Sequence, residues 1–294
     1  MKLQSLFCLG LLITGVAIAS TQVGNRVGNE DLLLEILGQI YPEDRLPGKC
    51  PDILKGAPCP EASYGTFHVR SRKEGDLTFS TTTFSGPEGP QVIEQSWENN
   101  GRIRRAIIEN RALRTLSELE VKDGRAFYKV TNLDTGKVKT SSDEAEDNLV
   151  VPSTVMSYVR PHFQNLKSGK EVRLKVAVLD RRESFSFVMR KIRDETTSDG
   201  HEGMVLEMAP VSFIVKALVD PMYFYIKPKS GELYAFQGRS ALRRKQGDSW
   251  KELNVRTAYE YKVNRFSQAK SEPDCLNSLA SGLNKNMKCE VKTQ

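Results

Sequence analysis

The chain has 294 residues, 39% of them hydrophobic and 27% charged, and carries a formal charge of +6 at pH 7. That mixture is too apolar for a disordered chain and too balanced in sign for a polycation, and the length suffices for one large domain or two small ones with a proper core. A core supported by disulfides alone is not needed.

The N-terminus opens with Met1-Lys2, runs apolar from Leu6 to Ile18 and closes on Ala17-Ile18-Ala19, which predicts a secretory signal over 1–19 cut after Ala19. Losing Lys2 takes the formal charge from +6 to +5. No later stretch approaches ~18 consecutive apolar residues, so no transmembrane segment is expected after signal removal. Cys8 follows the bulky Phe7 and does not read as a lipidation site. The expected compartment is the periplasm of a Gram-negative bacterium, with secretion as the alternative.

Cys50, Cys59, Cys275 and Cys289 remain in the exported chain. An even number in that context reads as two disulfides, and three pairings are open. The local pairs Cys50 with Cys59 and Cys275 with Cys289 are favoured, because each brackets a short segment with a turn or helix signal. There is no Cys-x-x-Cys and no neighbouring histidine, so no metal site is assigned.

Residues 20–61 are expected to form a helix and a cysteine-stapled loop. In NEDLLLEILGQIYPED, Asn29 can cap a helix, and Leu33, Leu34, Ile36, Leu37 and Ile40 make a broad apolar stripe that Pro42 ends. From Ala62 to about residue 265 the pattern becomes aromatic and β-branched runs cut by Asn-Gly and Asp-Gly turns, as at Asn100-Gly101 and Asp123-Gly124. These predict about a dozen antiparallel strands. Val172, Leu174 and Val176 alternate inward, as do Phe185, Phe187 and Met189 on the next strand and Val255, Tyr259 and Tyr261 on the last. A helix from Pro152, carrying Val155, Met156, Val159, Phe163 and Leu166, interrupts the strands, and Pro161 should bend or split it. Ser212 to Leu218 reads as another short apolar turn or strand. Residues 266–294 form a C-terminal tail with its own disulfide.

Chemistry has no obvious address. His68, His162 and His201 lie far apart without ligand spacing, and no nucleophile elbow, phosphate loop or zinc-protease motif is present. Glu94 and Glu98 could converge as paired carboxylates, although a solvated pair is the simpler expectation. Basic clusters at Arg102, Arg104 and Arg105 and at Arg239, Arg243, Arg244 and Lys245 suit anionic lipid head groups, lipopolysaccharide phosphates or acidic glycans. Nucleic acid is a poor partner for an exported chain, no cofactor is implied, and no feature sets an oligomeric state.

The stretch from Leu149 to Tyr261, with VVPSTVMSYVRPHFQNL, EVRLKVAVLDRRESFSFVM, ALVDPMYFYIKPKSGELYAFQGRSAL and VRTAYEY in that order, resembles a group of exported proteobacterial β-rich proteins. The resemblance covers a little over a third of the chain and brings no catalytic residues with it. In architecture alone the pattern looks like the lipoprotein-carrier half-barrels of the LolA and LolB type, which fixes no function.

The expected fold is mainly β: one large curved antiparallel sheet or half-barrel with two or three short helices packed on it, the alternative being two sheets split near Asn148. The expected function is non-enzymatic binding of an amphiphile or lipid in the concave apolar face. Phe185, Phe187, Met189, Phe224, Ile226 and Phe236 would line it, and Arg239 and Arg243 would meet an anionic head group. A structural or interaction protein of the envelope and a hydrolase acting on an envelope glycan are the alternatives.

Overall fold

The structure is a computed structural model that describes residues 32–45, 53–57, 59, 63–217 and 219–265. Thirteen of its strands fall where turn chemistry and alternation place them. They are β2 (Gly65–Glu74), β3 (Leu77–Gly86), β4 (Gly89–Asn99), β5 (Arg102–Asn110), β6 (Thr115–Lys122), β7 (Arg125–Asn132), β8 (Val138–Glu144), β10 (Val172–Val178), β11 (Glu183–Thr196), β12 (Glu202–Pro210), β13 (Met222–Lys227), β14 (Glu232–Gln246) and β15 (Ser249–Asn264). The other two are β1 (Leu32–Pro42) and the short β9 (Leu149–Val150).

All fifteen form one sheet, in the order β8-β7-β6-β5-β4-β3-β2-β1-β15-β14-β13-β12-β11-β10-β9. Every neighbouring pair is antiparallel except β9 with β10. The expected single curved sheet is therefore present, and a two-sheet split near Asn148 is not. The sheet curls until its outermost strands approach each other. No ladder joins them: Ser141 of β8 donates to the Arg182 carbonyl, and Asp143 accepts from the Ser184 N–H and hydroxyl, each at 3.2 Å. Beneath this seam Ile103, Leu119 and Tyr128 pack with Leu149, Val151 and Leu179 from the other edge.

One expectation fails. Leu32–Pro42, read as part of an amphipathic helix, is a strand paired with β2 on one side and β15 on the other. The same residues satisfy both periods: Leu34, Ile36 and Ile40 recur at alternate positions as well as along a helical stripe, and they face the sheet interior. Two flanking ladders then outweigh local helix preference. Gly38 also fits the strand, because a Cβ there would lie 2.0 Å from the Phe67 ring and 2.7 Å from the Ala258 carbonyl oxygen. That gap lets Phe67 stack against Tyr259, centroids 4.7 Å apart. Asn29 itself lies outside the described residues, as do Cys50, Cys275 and Cys289, so the disulfide pairings do too. Cys59 is buried on the outer face, where its N–H donates to the Tyr41 hydroxyl at 2.8 Å.

The helical interruption forms as the sequence dictates. Pro152 opens a 3-10 turn that leads into α1 (Val155–Val159), a second 3-10 turn over Arg160–His162 follows, and α2 (Phe163–Lys167) completes the segment. Pro161 can neither donate a backbone hydrogen bond nor extend a helix through itself, which splits the segment there. A third short helix, α3 (Phe213–Lys216), lies in the connection between β12 and β13.

Candidate functional site

The inner face of the sheet is divided in two. From β10 to β14 it is apolar: Leu174, Met189, Leu206, Phe224 and Ile226 pack in one cluster with Val155, Val159, Phe163 and Leu166 of the helical segment. Phe187 and Met189 are buried in this cluster, with Phe185 and Phe236 half-buried against it, so all six apolar residues expected to line a ligand face share one surface. What covers that surface is the chain's own α1–α2 segment. Phe224 and Phe236 meet edge-on at 5.2 Å. Tyr223 and Tyr225 point to the opposite face, where Tyr225 packs with Tyr234 and Leu54. The expected arginines stand apart from this surface: Arg239 and Arg243 both pair with Glu252, each at 2.8 Å.

Across β2 to β4 the inner face is apolar at Phe67, Val69 and Phe84, which pack with Leu242 and Val255, and polar beyond them. Thr78, Ser80 and Thr82 stand opposite Glu98, Ser96 and Glu94 in register, and Ser71 meets Ser80 at 2.7 Å. Both carboxylates are buried, at 5% and 4% exposure. Glu94 accepts from the Ser153 hydroxyl at 2.5 Å, and Ser153 also approaches Ser96 at 3.4 Å. Glu98 accepts from the Gly101 N–H and from Thr78, with Lys73 and Arg160 nearby. Desolvation raises both carboxyls above the ordinary carboxylate range against these hydrogen bonds. Burial likewise lowers Arg160, against the pull of Tyr261, Glu98 and Glu232. Four residues along a strand separate Glu94 from Glu98, about 13 Å at ~3.3 Å per residue. Each is engaged by a different part of the molecule, Glu94 by the start of the helical segment and Glu98 by the β4–β5 turn. Alternation of Val92, Glu94, Ser96 and Glu98 opposite a Thr/Ser strand was the sequence signal for this polar half.

A cleft of about 700 Å³ opens at the end of the sheet above this polar half. Asn99 and Asn100 of the β4–β5 turn and Arg102 and Arg104 of β5 form one wall, Glu146, Asp147 and Asn148 a second, and Tyr158, Pro161 and His162 a third. Tight contact fixes the third wall, since Gly101 lies so near the helical segment that a Cβ would fall 2.3 Å from the Tyr158 Cα. Gly101 takes φ of 81°, which suits glycine. Tyr158 and His162 stack at 5.3 Å, one turn apart. The Tyr158 hydroxyl is held above its ordinary value, mainly by desolvation. Arg102 pairs with Asp147 at 3.2 Å, and Lys175 with Glu146 at 3.1 Å. His162 reads in sequence as a lone histidine, because the other two walls come from segments about 60 and about 15 residues upstream, brought beside it only once the sheet has curled.

Among the described residues, no group of three or more histidine, cysteine or acidic side chains is placed to hold a metal, and no helix is long and apolar enough to cross a membrane. The chain matches no family model and no curated protein. Among solved structures it is similar to the beta-barrel-like protein of domain of unknown function DUF1849 from Brucella abortus, at 8% identity and a TM-score of 0.39, over 79% of this chain and 99% of that one.

Proposed function

We propose that the chain is an exported, non-enzymatic envelope protein that binds an amphiphile against the apolar half of its sheet, with the α1–α2 segment as a cover that yields to the guest. The observation that carries this reading is the cover itself: a broad apolar surface spanning β10 to β14 is closed by two five-residue helices broken at Pro161. The lipoprotein-carrier likeness contributes only the idea of a curved sheet with a helical cover.

The energies are of one size. Burying Val155, Val159, Phe163 and Leu166 is worth roughly 1.5–3 kcal/mol each, or about 6–12 kcal/mol together. A fatty acyl chain contributes about 0.8 kcal/mol per buried CH₂, so a chain of about fourteen carbons offers ~11 kcal/mol. Exchange of cover for guest is thus nearly balanced, and guest concentration sets the outcome. A hydrolase is the weaker reading, because Glu94 and Glu98 are already engaged within the fold, by Ser153 and by the Gly101 N–H.

The test locks the cover. Ser96 and Ser153 have their hydroxyl oxygens 3.4 Å apart, so Ser96→Cys with Ser153→Cys offers a reversible tether between β4 and the segment. After incubation with phospholipid vesicles, native mass spectrometry is expected to show a lipid adduct on wild type in either redox state, and on the double variant only with reductant. Wild type that stays free of lipid throughout would sink the proposal.

A further inference from the structure

We infer that the cleft between the β4–β5 turn, the 146–148 segment and the Tyr158–His162 pair binds an acidic saccharide, a sugar bearing a phosphate or a carboxylate. This site is separate from the apolar half and stands whether or not an amphiphile binds there.

Size and lining suit a polar guest with one apolar face. About 700 Å³ is ample for a hexose or a disaccharide, and small-molecule sites commonly span ~300–1,000 Å³. The walls combine amides, guanidiniums and carboxylates with the Tyr158 and His162 rings and Pro161. An acyl chain would desolvate the Asn99, Asn100 and Arg104 side chains without offering them a hydrogen bond, which is unfavourable. A polyol satisfies them. Asn99 and Asn100 can both donate to and accept from ring hydroxyls, and the tilted Tyr158–His162 pair presents a ring face to the C–H face of a pyranose.

Charge narrows the class further. Asp147 is taken up by Arg102 and Glu146 by Lys175, which leaves the Arg104 guanidinium, exposed and with no ion-pair partner among the described residues. A planar cation with free donors at the edge of a hydroxyl-binding cleft selects a carboxylate or phosphate, which it can hold by two parallel hydrogen bonds. Arg105, its neighbour in sequence, lies over the Trp97 ring at 5.0 Å and is not part of the cleft lining, so it is the internal control.

Calorimetric titration of the full chain with glucose 6-phosphate, glucuronate, glucose and inorganic phosphate tests the assignment. One of the two acidic sugars should bind saturably, at least about tenfold more tightly than glucose or phosphate alone, and which one it is names the anion. Arg104→Gln and His162→Ala should each weaken that binding about tenfold, while Arg105→Gln leaves it unchanged. The inference is overturned if neither acidic sugar saturates by about 10 mM, if phosphate alone binds as well as the sugar phosphate, or if Arg105→Gln is as damaging as Arg104→Gln.

Discussion

Glu94 is a carboxyl group that folding takes out of water and supports with the hydroxyl and backbone N–H of Ser153. Desolvation raises it above its ordinary value of 4.5, so the native state keeps this proton to higher pH than the unfolded chain does. Stability contributed by the group is therefore fully present below pH 4.5 and declines as pH rises above it. Each unit by which burial raises the carboxyl amounts to about 1.4 kcal/mol. Glu94→Gln keeps an acceptor for Ser153 and removes the charge, so its melting temperature should exceed that of wild type at pH 7 by a few degrees, at about 2–4 °C per kcal/mol. The difference should shrink towards pH 4; a constant difference would show that something other than ionisation is responsible. Gly101 and Gly124 make a second comparison at this scale. Both take positive φ, but only at Gly101 would a Cβ strike backbone, 2.3 Å from the Tyr158 Cα, whereas Gly124 has nothing within 4 Å. Gly124→Ala should cost about 1–2 kcal/mol for the left-handed conformation alone. Gly101→Ala should cost more than twice as much in denaturant melts, because it also lifts the helical segment off the turn.

Two apolar segments that look alike in sequence behave differently as elements. VMSYV in α1 and FIVK in α3 are both short apolar helical segments between strands. The first is packed into the core, while Phe213 and Ile214 of the second are 85% and 73% exposed. Leu166→Ala, at the end of the packed segment, should cost about 2–5 kcal/mol. Phe213→Ser should stay within about 0.5 kcal/mol in the same urea titration. Alternation and turn residues made the strands from β2 onwards legible, the two-residue β9 excepted, because Asn-Gly, Asp-Gly and Lys-x-Gly turns act locally and state their own geometry. Pro161 likewise announced the break between α1 and α2. What sequence hid was partnership. Nothing local in LLLEILGQIYP reveals that β15, some 220 residues later, will pair with it, and so its helical period prevailed in the reading. The cleft was illegible for the same reason, since its three walls come from β4–β5, the segment after β8, and the turn between α1 and α2. The apolar face was readable as a surface, from Phe187, Met189 and Phe224, and so was a Pro152 helix packed on the sheet, which brings Val159 and Leu166 onto it.

At the scale of the molecule, a continuous sheet of fifteen strands has its first and last described strands at the middle and its two edges at a seam. β8 is exposed along nearly its whole length, and its sequence VKTSSDE is polar, as befits a strand with an unpaired side. β9 contributes only two residues to the opposite edge. Chain ends usually fray first. Here the pairing predicts the reverse for native-state amide hydrogen exchange, in which local openings report their own free energies. Amides of β8 and β9 should exchange earliest, and protection should climb strand by strand away from the seam. The slowest amides should belong to β1 and β15, flanked on both sides and most distant from either edge, so that the two ends of the described chain become its most persistent part. Fast exchange in β1 with protection retained in β8 would refute that order.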